Sequence, residues 1–242
     1  MRAARIQRRV FNREKSTMLR ILSVFLLSVM SCAANAQLAA ISNADAASGV
    51  RQALSDGAAA AVAKLGVENG FLGNPQVKIP MPPALRQVEG AMRTFGMKKQ
   101  ADDLVLAMNR AAEAAVPEAK TLLIDAAKKM TLQDAKGILS GGQTSVTDYF
   151  RRTTSGQLTQ RFLPIVKKST ERVGLAQQYN TLAGQAASYG LIKKDQSTIE
   201  GYVTQKSLDG LYLMIGEQEK AIRANPVGAA SDIVKKVFGA LK

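Results

Sequence analysis

Apolar residues recur at three- and four-residue spacing along most of the chain after residue 45, as amphipathic helices require. In residues 45–66 these positions fall on one stripe, made of Val50, Leu54, Gly57, Ala58, Ala61 and Leu65. The same spacing predicts further helices over 84–95, 98–115, 117–130, 131–139, 145–153, 155–173, 175–189 and 231–242. No segment keeps a two-residue alternation, so the pattern predicts an all-α fold with little or no sheet.

Residues 197–225 differ because their apolar side chains occupy two opposite faces. At about 100° per residue, one face carries Leu208, Leu211, Tyr212, Ile215 and Ile222. The other face carries Ile199, Tyr202, Val203, Leu213 and Met214. A helix that is apolar on both sides is a buried one. The sequence therefore predicts a compact multi-helix bundle around this central helix, with Gly210 and Gly216 admitting close neighbours.

Glycine and proline interrupt the helical pattern at defined places. Residues 67–83 are dense in both, which predicts an extended loop whose apolar residues either dock on the core or form an exposed lip. Pro164 lies inside 155–173 and predicts a kink or a split there. Side chains suited to helix N-caps precede several helices: Asp45 or Ser48, Thr131, Thr144 and Ser231.

The first 36 residues have the layout of a secretory signal peptide. Seven basic residues between Arg2 and Arg20 precede the apolar run Ile21 to Met30, and the small residues Ala34-Asn35-Ala36 follow. The apolar run is shorter than the roughly 20 residues of a spanning helix. We therefore predict that residues 1–36 are removed, 37–45 form a flexible N-terminus, and 46–242 form a single helical domain.

Three details of this signal have alternatives. Met18 is a second plausible start, because the sequence from Met18 is a complete signal by itself. Arg8-Arg9 resembles a twin-arginine export motif. Val29-Met30-Ser31-Cys32 resembles a degenerate lipobox, in which Cys32 would be acylated and anchor an outer-membrane lipoprotein. Cleavage after Ala36 is the preferred prediction, and it leaves a mature chain without cysteine.

The charge balance is basic before and after cleavage. The whole chain has 33 basic and 19 acidic residues, a net charge of +14. Residues 1–36 hold seven of the basic residues and one acid, which leaves 26 and 18, a net charge of +8. An exported basic protein meets lipid head groups and acidic envelope polymers before DNA. The expected partners are therefore anionic lipids or other envelope components, without nucleic acid.

The composition argues against most catalytic chemistry. The chain has no histidine and one cysteine, which excludes the Ser-His-Asp triad, the Cys-His dyad and zinc sites built from these ligands. Phosphate-binding loops, dinucleotide-binding turns and EF-hand loops are absent from the sequence. We therefore expect no cofactor and no metal, and a binding or structural role rather than an enzyme.

The densest positive segment is 149–172, which holds six basic residues and one acid. Long basic side chains beside an apolar band suit a site for anions or lipid head groups. The candidate residues are Tyr149, Phe150, Arg151, Arg152, Arg161, Lys168 and Arg172. The alternative is a solvated face with internal ion pairs, because lysine and arginine doublets are spread over the whole chain.

Carboxylates supply a second set of candidates. Asp209 lies between Leu208 and Leu211 on the predicted central helix, where burial would raise the pKa of its carboxyl unless a cation pairs with it. Asp134 is a second candidate for a buried acid. A pair drawn from Asp102, Asp103, Asp125, Asp134 and Asp148 would serve a two-carboxylate hydrolase, which is the catalytic alternative.

Several motifs of the chain resemble those of one bacterial family. They include FLGNPQVKIPMP, ADDLVLAMNRAAEAAVPEAK, RFLPIVKK and YVTQKSLDGLYLMIGEQEKAIR, between about Ala46 and Leu241. The chain is similar there to the exported helical family called domain of unknown function 4197. The resemblance implies a Gram-negative periplasmic protein, with lipoproteins among its relatives, and it brings no catalytic residues. The function expected is non-catalytic binding of an anionic or amphiphilic envelope partner, or else a scaffold for another envelope protein.

Overall fold

The structure is a computed structural model that describes residues 42–86, 89–190, 197–228 and 231–239. These residues form α-helices joined by loops and two short 3-10 turns, and the described ranges contain no strand. In chain order the helices are α1 (Asn43–Leu65), α2 (Pro83–Arg86), α3 (Glu89–Thr94), α4 (Lys98–Ala115), α5 (Ala119–Lys128), α6 (Leu132–Ser140), α7 (Ser145–Thr170), α8 (Gly174–Ser188), α9 (Ile199–Ala224) and α10 (Asp232–Gly239). The all-α prediction is confirmed.

Helix α9 is the central helix of the bundle, as its two-faced apolar pattern predicted. It packs against α7, α1 and α4, and both of its faces are buried. Leu208, Leu211 and Tyr212 lie in the core on one face, and Tyr202, Val203 and Met214 on the other. Leu213 departs from the prediction, since 42% of it is exposed.

Helix α1 begins earlier than the sequence pattern indicated. Its N-cap is Ser42, whose hydroxyl accepts a hydrogen bond from the amide of Asp45 at 3.0 Å. The predicted caps Asp45 and Ser48 lie inside the helix instead. Residues 43–45 are therefore helical rather than part of a flexible N-terminus. The predicted signal peptide and Cys32 lie outside the described residues.

Helix α7 runs without a break from Ser145 to Thr170, where two helices and a kink or split were predicted. Pro164 sits on its exposed side, so water can reach the backbone carbonyl that loses its partner there. Thr144 makes no side-chain cap to the backbone. The amide of Val146 instead donates to the carboxylate of Glu219 on α9, at 3.2 and 3.3 Å.

The loop between α1 and α2 docks on the core rather than forming an exposed lip. Phe71, Val77, Ile79 and Met81 are all buried in it. The ring of Phe71 lies against Gly210 of α9, where an added Cβ would meet its Cε1 atom at 2.8 Å. The absence of a side chain at Gly210 therefore admits the loop to the surface of the central helix.

Two buried polar residues of α4 hold this loop in place. The carboxylate of Glu113 accepts hydrogen bonds from the amides of Phe71 and Leu72, both at 3.0 Å. The side chain of Asn109 accepts from the Ile79 amide at 2.8 Å and donates to the Ile79 carbonyl at 2.9 Å. A loop without regular structure thus has its buried backbone groups satisfied by side chains.

None of the helices within the described ranges is both long enough and apolar enough to cross a membrane.

Candidate functional site

A surface cleft between α5, the start of α6 and α7 gathers several of the residues singled out from the sequence. Its volume is about 510 Å³. It is lined by Leu122, Asp125, Ala126, Lys129, Asp134, Tyr149, Arg152, Thr153, Thr154, Gln157 and Arg161. Five of these, Asp125, Asp134, Tyr149, Arg152 and Arg161, were candidates from the sequence. We call it the α5–α7 cleft.

Tyr149 and Arg152 are fixed in the wall of this cleft. The hydroxyl of Tyr149 donates to the carbonyl of Ala126 on α5 at 2.8 Å, which ties α7 to α5. Burial raises the pKa of Tyr149, with a further contribution from the nearby Asp134 carboxylate. The guanidinium of Arg152 lies 5.7 Å from the centre of the Tyr149 ring and 3.5 Å from an oxygen of Asp134. Arg152 thus has both a cation–π and an ionic partner.

Lys129 and Arg161 are different, because neither forms an ion pair with any residue that the structure describes. Both side chains are exposed and line the cleft. Lys129 comes from the end of α5 and Arg161 from the middle of α7. Two helices therefore present positive charge to one concave surface, and this charge is free to meet an anion.

The other basic candidates do not join this cleft. Arg151 faces α9, where it pairs with Asp209 at 3.3 Å and lies 4.9 Å from the centre of the Tyr212 ring. Arg172 lines a separate hollow with Gln100 and Asp103. Lys168 is exposed, and it lines neither the α5–α7 cleft nor the hollow around Arg172. The basic side chains of 149–172 therefore point in different directions from one helix and its C-terminal end, and they do not form one continuous basic site.

Phe150 is a core residue and not part of a binding face. It is fully buried, and its ring is tilted by 59° against the ring of Tyr149 at 5.8 Å. The sequence placed it next to Tyr149 and Arg151 without showing which of the three points inward.

Neither acid candidate is buried. The side chain of Asp209 is 40% exposed and pairs with Arg151, and it also accepts a hydrogen bond from Gln205 at 3.1 Å. The side chain of Asp134 is 29% exposed. The expectation of a buried carboxyl is wrong at both positions, because each residue lies at the edge of its helix interface rather than within it.

Asp134 serves as a helix cap, and its protonation state follows from that role. Its carboxylate accepts from the hydroxyl of Thr131 at 2.7 Å and from the Thr131 amide at 3.1 Å, forming a capping box at the start of α6. These hydrogen bonds, together with Arg152, hold the pKa of Asp134 below its usual value. Asp125 lines the same cleft. A two-carboxylate hydrolase needs a general acid with a raised pKa, and the pKa of Asp134 is lowered. The arrangement therefore gives the hydrolase hypothesis no proton donor at Asp134.

The loop between α1 and α2 offers little surface to a protein partner. Phe71 is fully buried and Leu72 is half-buried, so the aromatic ring is not available for docking. Other large apolar residues are strongly exposed, notably Phe95, Tyr189, Leu182 and Val67. The described residues include no group of three histidine, cysteine, aspartate or glutamate side chains placed to hold a metal ion.

Several residues that shape the structure were missed from the sequence. Glu219 is buried on α9, where it accepts from the amide of Val146 and from Arg223 at 2.9 Å. Asn109 and Glu113 are likewise buried and were not singled out. Their one sequence signal is a polar residue among the apolar positions of an amphipathic helix. Lys129 was noticed only as part of a lysine doublet.

Comparison with known proteins adds a family and no function. A family model described as a protein of unknown function, DUF4197, matches residues 40–239 of the 242. This agrees with the resemblance found in the sequence motifs. No curated protein and no solved structure matches the chain.

Proposed function

Since the chain belongs to the DUF4197 family of proteins of unknown function, we propose from its own residues that it is an exported, envelope-associated binding protein without catalytic activity. Its partner is an anionic component of the envelope, and the α5–α7 cleft receives it. The observation that carries the proposal is the pair Lys129 and Arg161, two exposed cations from different helices that line one cleft and lack ionic partners among the described residues.

The neighbouring groups suit an anion better than a neutral ligand. Arg152 adds a third positive side chain, held in place by Asp134 and by the Tyr149 ring. Gln157 adds an exposed amide that can donate hydrogen bonds. Charge-assisted hydrogen bonds of this kind are about twice as strong as neutral ones. Asp125 limits the excess of positive charge, so we expect the interaction to be reversible and sensitive to salt.

Vesicle sedimentation tests the proposal. The purified chain is mixed at low salt with vesicles of phosphatidylglycerol and phosphatidylcholine, or of phosphatidylcholine alone. We expect binding to the anionic vesicles only, and release as salt is raised. The double variant Lys129→Ala/Arg161→Ala should bind at least about tenfold more weakly, because two charged hydrogen-bond donors are lost.

The matched control is Lys64→Ala/Lys206→Ala, which removes the same charge from two exposed residues outside the cleft. It should retain most of the binding. Equal binding to neutral vesicles, no binding at low salt, or equal losses in the two double variants would overturn the proposal.

The export part of the proposal rests on the N-terminal sequence and has its own test. Mass spectrometry of the protein taken from its native envelope should give an N-terminus at Gln37. An acylated N-terminal Cys32 would replace this proposal with that of an outer-membrane lipoprotein. An intact N-terminus before residue 32 would contradict export.

A further inference from the structure

A second cleft lies elsewhere on the molecule, between the docked loop, α2, α3 and α4. Its volume is about 450 Å³, within the range of small-molecule sites. Its lining is apolar along one part, with Leu72, Pro80, Met81, Val105 and Leu106. We call it the loop–α4 groove. Leu106 keeps 43% of its surface exposed there, so apolar surface remains open to a ligand.

The charged residues of the groove fall into two groups: a cluster of ion-paired side chains, and two cations without an ionic partner. Arg93 bonds to Glu89 at 2.7 Å and to Asp102 at 3.1 Å, so both carboxylates of the groove already have a partner. Lys78 and Arg86 line the same groove, and neither forms an ion pair with a described residue. The groove therefore joins an apolar wall to two unpaired positive charges.

The apolar wall is held rigid from behind. Leu72 is fixed through its amide by Glu113, and the carbonyl of Pro80 accepts from the hydroxyl of Tyr202 at 3.1 Å. Asn109 holds Ile79, the residue before Pro80, by accepting from its amide and donating to its carbonyl. A ligand that enters the groove meets a wall that is already formed, so little conformational entropy is lost on binding.

We propose that the loop–α4 groove binds a single-chain amphiphile with a carboxylate or phosphate head group, taken up as a monomer. The acyl chain lies along Leu72, Val105 and Leu106, and the head group meets Lys78 and Arg86. The Arg86 guanidinium matches a carboxylate or phosphate with two parallel hydrogen bonds. A purely polar anion would leave the apolar wall in water, and a neutral lipid would leave both cations without a partner.

Titration calorimetry on the full chain tests the proposal with probes kept below their critical micelle concentrations. Myristate, myristoyl lysophosphatidic acid and myristoyl lysophosphatidylcholine share one acyl chain and differ in the head group. We expect one-to-one binding of the first two and at least about tenfold weaker binding of the zwitterionic third. The stronger of the first two identifies the head group as carboxylate or phosphate. The affinity for longer fatty acids should rise up to about fourfold for each additional methylene group that the groove buries.

Variants locate the site. Lys78→Ala/Arg86→Ala should weaken myristate binding at least about tenfold, whereas the control Lys64→Ala/Lys206→Ala, which lies outside both clefts, should leave it unchanged. The chain has no tryptophan, so Leu106→Trp places a single fluorescent reporter at the groove. Its emission should shift to shorter wavelength on binding.

The results that overturn this proposal differ from those that overturn the proposed function. Binding of all three probes with equal affinity, or unchanged binding in Lys78→Ala/Arg86→Ala, would refute the groove as the site. Binding only to vesicles and not to monomers would show a membrane surface as the partner instead. None of these outcomes depends on Lys129 or Arg161, whose effect on vesicle binding is measured separately.

Discussion

Gly210 provides a direct test of how the loop is seated on the central helix. Glycine has a lower helix propensity than alanine, so Gly210→Ala would ordinarily stabilise α9 by about 1 kcal/mol. Here the added Cβ would lie 2.8 Å from Cε1 of Phe71 and 3.2 Å from Cβ of Val77. Phe71 is fully buried and its amide is bonded to Glu113, so the ring does not border solvent into which it could turn to relieve the contact.

The magnitude follows from these two opposing effects. Overpacking of a filled core costs about 1–3 kcal/mol, and the upper part of that range applies because the contact is with a fixed ring. After the gain in helix propensity, Gly210→Ala should lower the free energy of unfolding by about 1–2 kcal/mol. Gly156 lies inside α7 with no atom within 4 Å of an added Cβ. Gly156→Ala should therefore raise the free energy of unfolding by about 0.5–1 kcal/mol.

Urea unfolding followed by circular dichroism at 222 nm, a wavelength that reports helix content, measures both variants. The prediction is a difference of about 1.5–3 kcal/mol in the free energy of unfolding between the two variants, with Gly156→Ala the more stable. Phe71→Leu, made in the Gly210→Ala background, should cost less than the same change in the wild type, because the smaller side chain relieves the contact. Equal stability of the two alanine variants, or additive effects of Gly210→Ala and Phe71→Leu, would refute the packing described for the loop.

Three further predictions concern the buried polar groups. Asn109→Leu should cost about 2–4 kcal/mol in urea unfolding, since both polar groups of Ile79 lose their partner. Burial disfavours the charged form of Glu113, but hydrogen bonds from Leu72, Arg110 and Phe71 outweigh it and lower its pKa. The ionised Glu113 therefore stabilises the fold fully at pH values above the pKa that Glu113 has in the unfolded chain. This stabilisation is lost as the pH falls through the lower pKa that Glu113 has in the folded protein. Glu113→Gln should therefore reduce the dependence of the free energy of unfolding on pH in this range. Glu219→Ala should cost about 3–5 kcal/mol, because Arg223 is left without its buried partner, and Glu219→Gln less.

The helical architecture could be predicted because it depends on local pattern. The spacing of apolar residues predicted a helix over 98–115, and the two-faced pattern predicted one over 197–225. The observed helices, Lys98–Ala115 and Ile199–Ala224, match these bounds to within two residues. The Thr131 cap was also predictable, since a capping box lies within four residues of sequence. Helix α7 was an exception, because Pro164 interrupts the helix less at a position exposed to water than the sequence pattern indicated.

The contacts that decide the details are long-range, and the sequence does not display them. Glu219 caps the start of α7 from 73 residues away, and Asn109 satisfies Ile79 from 30 residues away. A sequence shows that such residues are polar but not which backbone group they meet. The same applies to Arg151, which local charge density grouped with Arg161 although the helix turns it towards Asp209.

The polar and charged residues of this chain have different roles according to their partners. Glu113, Glu219 and Asn109 are buried and bonded to backbone groups, so their loss should reduce stability. Lys78, Arg86, Lys129 and Arg161 line clefts and lack ionic partners among the described residues, so nothing in the fold depends on their charge. Substitutions at exposed positions such as these typically change the free energy of unfolding by no more than about 0.5 kcal/mol. Binding and folding should therefore be separable here: the four cationic positions can be replaced at constant urea midpoint, and any loss of binding then reports on the clefts themselves.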